Sequence, residues 1–167
     1  IGSDMNISSS TTKKIADLLI EANQSISVAE SSTGGLIAAS LLAVPGASAY
    51  FNGGAIIYTM RARRKLLQID KEKLNAQTPL TDQYVTLCAE QIKKQLKSTW
   101  GLAELGATGP AGTPYGHPPG ICVLAIVGPK TVTRHIETGK NDREENMIVF
   151  RDEALSMLLE ALSHKTT

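Results

Sequence analysis

The chain has 167 residues, 42% hydrophobic and 20% charged, a composition that excludes a disordered or fibrous protein and fits one globular domain with a real core. Its formal net charge of +1 supplies no overall field to attract nucleic acid or an anionic membrane. Cys88 and Cys122 lie in apolar settings without a second Cys or His at ligand spacing, so a disulfide framework is excluded and both read as small buried hydrophobes in a reducing compartment.

Ile1 to Asp4, ahead of Met5, read as the remnant of an expression tag. Residues 1–10 are set aside as a flexible start, and 11–167 are taken as one domain. Thr11 or Thr12 caps a first helix with Ile15, Leu18 and Leu19 on one face, ending near Asn23. Ser25 to Ala29 follow as a short strand. After the turn Ser31-Ser32-Thr33-Gly34-Gly35, a helix runs from Leu36 to Ala43 and stops at Pro45-Gly46. Gly53-Gly54 open a buried strand, Ala55 to Tyr58, and Met60 to Leu67 form a helix whose basic cluster, Arg61, Arg63, Arg64 and Lys65, reads as a solvated end.

Thr81-Asp82 begin a long helix with Val85, Cys88, Ile92 and Leu96 on one face. Leu102 to Ala107 form a weaker strand, followed by a Gly/Pro-rich loop from Thr108 to Gly120. Two strands, Ile121 to Val127 and Thr131 to Ile136, flank Gly128-Pro129-Lys130, and a last helix covers Asp142 to Leu162. Alternating strands and helices, then two adjacent strands, predict a three-layer α/β/α single domain with a mixed central sheet. No apolar run reaches the ~18 residues that span a bilayer, and no signal-peptide pattern is present, so a cytoplasmic location is expected.

Three segments have the residue types for chemistry. Glu30-Ser31-Ser32-Thr33-Gly34-Gly35 stands between a strand and a helix, where glycines admit close backbone approach and a helix N-terminus offers free N–H groups. Its hydroxyls can donate to a phosphate, or one can attack a carbonyl; the competing reading is a plain helix cap with a glycine turn. The absence of a P-loop lysine argues against an NTPase. The loop from Thr108-Gly109-Pro110 to His117-Pro118-Pro119-Gly120 sits where α/β proteins place binding groups, stiffened by its prolines. His117 lacks a metal partner, since His135 and His164 stand at no ligand spacing, and no metal is expected. Tyr58 to Arg63 end a strand and enter a helix, so Tyr58 can orient a ligand and an arginine can hold a phosphate.

Together these segments resemble the C-terminal domain of the CinA family. The resemblance rests on AESSTGGLIAASLLAVPGASAYFNGGAIIY, Ala29 to Tyr58, with weaker echoes at Leu80-Thr81, Gly109-Pro110 and Asp142-Arg143. It implies an amidase converting nicotinamide mononucleotide to nicotinic acid mononucleotide and ammonia, without a cofactor, acting on a small-molecule nucleotide and assembling as a homo-oligomer. It also implies Ser31 as the nucleophile, with Tyr58 and Arg63 completing the catalytic group. The substrate-binding set carried over is Glu30, Ser32, Thr33, Gly34, Gly35, Thr108, Gly109 and Arg143.

Arg63 stands where the family has the lysine that would serve as base. Arginine stays protonated and cannot take a proton, and Lys65 is turned by roughly 200° about the helix axis. Tyr58 or His117 is then the expected acceptor, with backbone N–H groups of the glycine turn stabilising the oxyanion. Ser32 replaces a family cysteine, Leu105 a threonine, and the loop after Gly109-Pro110 is altered. These replacements support an alternative, a catalytically impaired nucleotide-binding or oligomeric interaction domain.

Overall fold

The computed structural model describes residues 7–163; the expectations for Ile1–Asp4 and for His164 lie outside them. The first helix, α1, is Ser10–Ala22. Its cap is Ser9, whose hydroxyl accepts from the Thr12 N–H at 3.2 Å while Thr12 Oγ1 accepts from the Ser9 N–H at 2.9 Å. Thr12 is therefore the third helical residue of a capping box and not the cap. The helix begins inside the stretch read as the flexible start.

The remaining elements are β1 (Ile26–Glu30), α2 (Leu36–Leu42), β2 (Phe51–Ile56), α3 (Met60–Leu67), α4 (Lys71–Asn75), α5 (Asp82–Leu96), β3 (Trp100–Ala107), β4 (Ile121–Val127), β5 (Val132–Glu137) and α6 (Arg143–Ser163). A 3-10 turn, Ala47–Ala49, and the short α4 have too few residues to show a period in the sequence. The sheet order is β2-β1-β3-β4-β5. β1 runs parallel to both β2 and β3, while β3, β4 and β5 are antiparallel in turn. The sheet is mixed, as expected.

Each face of the sheet carries its own apolar cluster. One joins Ile15, Leu19, Ile37, Leu41 and Phe150 of α1, α2 and α6 to Ile26, Val28 and Leu102. The other joins Leu67, Leu74, Tyr84, Val85 and Ile92 of α3, α4 and α5 to Ala29, Ala103 and Leu105. All seven residues of β4 are buried, because a strand covered on both faces reads as a continuous apolar run. Cys88 and Cys122 are buried and not disulfide-bonded; burial pushes the Cys88 thiol up to about 12.

β2 departs from the expected buried strand. It is an edge strand whose residues are alternately half-buried and exposed, it includes both glycines, and Tyr58 lies past its end. Close approach to β1 explains the glycine pair, since a Cβ on Gly54 would stand 2.5 Å from the Val28 carbonyl oxygen. Among the described residues no helix is long and apolar enough to cross a membrane.

Candidate active site

Strands β1, β2 and β3 are parallel, so their carboxyl ends lie on one side of the sheet. The chain leaves β1 for β2 on one flank, and β3 lies on the other. The crevice beyond such strand ends is where doubly wound sheets bind ligands.

Strand alternation then sorts the side chains. Glu30 and Glu104 stand opposite each other in register on β1 and β3. They follow Val28 and Leu102 on the face covered by α1, α2 and α6. Ser31 and Leu105 fall on the other face. There they line a cavity of about 270 Å³ with Tyr58, Met60, Arg63, Leu80 and Gly106, closed by Thr113, Pro114 and Tyr115 of the long loop. Leu80 holds a left-handed backbone, φ +61°, a strained conformation for a bulky residue. Among the described residues the Ser31 hydroxyl has no hydrogen-bond partner.

Behind the turn lie the two carboxylates, 1% and 0% exposed. Glu104 Oε1 accepts the N–H groups of Ser31 at 2.9 Å and Thr33 at 3.0 Å, and Oε2 accepts from the Ser32 hydroxyl in a short contact. Glu30 Oε1 accepts from Gly35 N at 3.1 Å and Ile37 N at 2.9 Å, and Oε2 from Ala38 N at 2.9 Å. Gly35, the α2 cap residue, has no side chain to do this, so Glu30 supplies the cap from the preceding strand.

Thr33 Oγ1 lies 2.7 Å from Oε1 of both Glu30 and Glu104. A hydroxyl has one proton to give, so the two carboxyl oxygens compete for a single donor. Glu30 is the group pushed up, chiefly by burial and further by the Glu104 charge, against the opposing hydrogen bonds from Thr33, Ala38 and Ile37.

The predicted site residues thus separate. Ser31, Tyr58 and Arg63 meet at the cavity. The side chains of Glu30, Ser32 and Thr33 are buried and committed to each other, to Glu104 and to α2, so they shape the turn from behind. Gly34 and Gly35 adopt the positive φ the turn requires, +62° and +110°.

Arg63 is a brace: Nε donates to the Ile57 carbonyl at 3.0 Å and Nη2 to the Tyr58 carbonyl at 3.2 Å, while the guanidinium sits 5.6 Å from the Tyr84 ring centroid. Arg143 bonds the Gly109 carbonyl and, at 3.1 Å, the Tyr58 hydroxyl. That ties Arg143 and Gly109 to Tyr58, the one of the three that lines the cavity. The Thr108 carbonyl is held by Asn146 Nδ2 at 2.9 Å, and neither Thr108 nor Gly109 lines the cavity. His117 pairs its Nδ1 with Thr113 Oγ1 at 3.0 Å and also stands off the cavity.

Glu104 and Asn146 are the residues the sequence reading missed. A lone carboxylate inside the apolar strand WGLAELGA was the available signal for the first. Asn146 is fully buried in α6, and the α6 pattern carries no mark of it. A larger hollow, about 820 Å³, opens between Pro118-Pro119 and residues 137–145. Polar side chains in it are already paired, Lys140 with Glu145 and Thr138 with Asn146, and among the described residues it holds no nucleophilic hydroxyl free of a partner, so the smaller cavity is the better candidate.

A mixed five-stranded sheet between two helical layers, with a strand-end cavity lined by Ser31 and Arg63, defines a three-layer α/β domain. The family model of the CinA C-terminal domain matches residues 8–162; the chain belongs to that family. It is 37% identical over 121 residues to a CinA-like protein of Synechococcus sp. (strain RCC307), covering 72% of this chain and 29% of that protein. It is 40% identical over 112 residues to one of Parasynechococcus marenigrum (strain WH8102), covering 67% and 27%. The match spans under a third of the length of these relatives. Among solved structures, the competence damage-inducible protein A from Klebsiella pneumoniae superposes with a TM-score of 0.86 at 27% identity, covering 93% of this chain and 97% of that one. The competence/damage inducible protein CihA from Agrobacterium tumefaciens gives 0.81 at 27% identity, covering 93% and 98%.

Proposed function

We propose that this domain hydrolyses the amide of a pyridine mononucleotide or a closely similar small amide, with Ser31 as nucleophile. The observation that carries the reading is the uncommitted Ser31 hydroxyl on a 270 Å³ cavity at the strand ends, with the Arg143 guanidinium bonded to the hydroxyl of Tyr58 in its wall. The Ser31 oxygen bonds to the amide carbon, the carbonyl pair moves to oxygen, and collapse expels ammonia carrying the proton that left Ser31. Water then cleaves the ester and restores the hydroxyl.

Arg143 is better placed than Arg63 to hold the phosphate. Arg63 spends three donors, on the carbonyls of residues 57 and 58 and the Tyr84 hydroxyl, whereas Arg143 spends two and retains N–H groups beside Tyr58 for a phosphate contact. The apolar walls from Met60, Leu80 and Leu105 suit the ring of such a substrate. Ammonia release from nicotinamide mononucleotide by the wild type, abolished in Ser31→Ala, is the expected result. No release from the wild type overturns the reading.

A second reading, nucleotide binding without turnover, is favoured by the state of the Arg63 position. An arginine braced by two carbonyls and a tyrosine ring cannot accept the Ser31 proton, and Tyr58 and His117 are both engaged elsewhere. Under this reading the nucleotide raises the melting temperature without ammonia appearing, and Arg63→Lys gains activity.

A further inference from the structure

We propose that Glu104 is a positioning residue for the cavity serine, holding the turn so that the Ser32 N–H is left as the donor for the oxyanion. The proposal rests on the reading of Ser31 as nucleophile.

The hydrogen-bond pattern of the turn carries it. The Ser31 N–H is taken by Glu104, by both its carbonyl at 3.0 Å and its Oε1 at 2.9 Å. The Thr33 N–H goes to Glu104 Oε1, the Gly34 N–H to the Ser31 carbonyl at 3.3 Å, and the Gly35 N–H to Glu30. Among the described residues, only the Ser32 N–H of residues 31–35 has no partner. The general expectation that the glycine turn offers several donors is therefore wrong here, because two buried carboxylates have already used them.

The N–H of the residue after a serine nucleophile is the group that serves as oxyanion donor in nucleophile turns. The Ser32 side chain cannot compete for the cavity, since it is bound to Glu104 Oε2 on the opposite face. Gly106 belongs to the same arrangement. Any Cβ there would stand 2.7 Å from Ser32 Oγ, so glycine is required for the serine to reach Glu104. Glu104 fixes residues 31 and 33 from behind, and residue 32 presents its amide by default.

The test compares the full chain with Glu104→Gln and Glu104→Ala. Glutamine retains an oxygen for the Ser31 and Thr33 N–H groups, and its amide nitrogen donates to Ser32 Oγ. Alanine removes every side-chain contact and leaves only the backbone bond to the Ser31 N–H. With nicotinamide mononucleotide, Glu104→Ala is expected to lose about 100-fold or more in kcat with little change in KM, the scale of losing one oxyanion donor. Glu104→Gln is expected to stay within about threefold of wild type, and Leu19→Ala, a remote core variant of reduced stability, to retain its kcat.

A probe that needs no turnover is an aryl boronic acid. The Ser31 oxygen donates its pair to trigonal boron and its proton goes to solvent, giving a tetrahedral anion in the place of the oxyanion. Boron NMR then reports affinity, and Glu104→Ala is expected to lose it while Glu104→Gln retains it. If the wild type forms the adduct without releasing ammonia, the proposed substrate fails and the boronate series decides the positioning role alone. If Glu104→Ala is unfolded, Glu104→Gln against wild type decides it, and a loss beyond tenfold in both kcat and boronate affinity overturns the proposal. Equal losses in kcat and in Leu19→Ala, a rise confined to KM, or no adduct on the wild type also overturn it.

Discussion

The turn after β1 and the loop after β3 leave the sheet side by side, yet they are built by opposite means. The turn at residues 31–35 is held from inside by two carboxylates on neighbouring strands, and nearly every donor in it is used. The loop at 108–120 is held by its own short contacts, Thr113 with His117, and from outside by Arg143 and Asn146 of α6. One connection is therefore locked from the core and the other leans on a helix that arrives from the far end of the chain. The difference assigns the roles. On the proposed reading the turn sets where an attacking oxygen and an oxyanion donor sit, and the loop supplies a wall of the cavity through Thr113, Pro114 and Tyr115.

The comparison breaks first at Thr33. Thr33→Val keeps the shape but removes the hydroxyl between Glu30 and Glu104, and it is expected to cost about 3 kcal/mol in urea unfolding, since charged hydrogen bonds in a buried site are lost. The same geometry fixes a pH dependence. The folded Glu30 carboxyl is raised above its ordinary 4.5, so the folded chain retains a proton that the unfolded chain has released. Its contribution is fully present below about 4.5 and is lost as pH rises through the folded value. The stability of the wild type relative to Glu30→Gln should accordingly fall with rising pH across that window; a difference independent of pH would show that the fold leaves the Glu30 carboxyl unperturbed, and one that rises with pH that the fold favours its ionised form.

Gly106→Ala probes the turn from the side of β3. Its Cβ would meet Ser32 Oγ at 2.7 Å and Phe150 at 2.8 Å, an overpacking worth about 2 kcal/mol in thermal or urea unfolding. Gly109→Ala tests how firmly α6 grips the loop. The position has φ +100° and its Cβ would stand 2.7 Å from the Asn141 carbonyl oxygen, and a loss of about 1.5 kcal/mol is expected. The smallest effect belongs to the loop wall. Tyr115 is 55% exposed, so Tyr115→Ala should alter stability by less than about 0.5 kcal/mol. It should raise KM for the nucleotide about threefold without changing kcat. A large stability loss there would mean that the loop is structural after all.

Much of this architecture was legible in the sequence. The α3 and α5 boundaries follow from their caps, Thr59 and Thr81, and from apolar residues three and four apart. β4 follows from its unbroken apolar run. β2 was misplaced because a glycine pair reads as the start of a strand, whereas here it lies within an edge strand pressed against β1. At the site, Ser31 and the glycine turn were readable because strand, hydroxyls and helix are contiguous. Glu104 was not, because its partners stand more than seventy residues away, and nothing local distinguishes a carboxylate that anchors a turn from one that weakens a strand. Arg63 was misread for a similar reason: only the direction of its donors, to the carbonyls of residues 57 and 58, marks it as a brace.

The sequence by itself determined the layer order, the family and the position of the candidate nucleophile, because each depends on periodicity and on contiguous motifs. Only the tertiary structure decided which face of the sheet each side chain occupies, how the turn's donors are spent, and that two buried carboxyls meet at one threonine hydroxyl. Those properties arise where β1 and β3 meet in register, and strand pairing across that distance leaves no local mark in either segment.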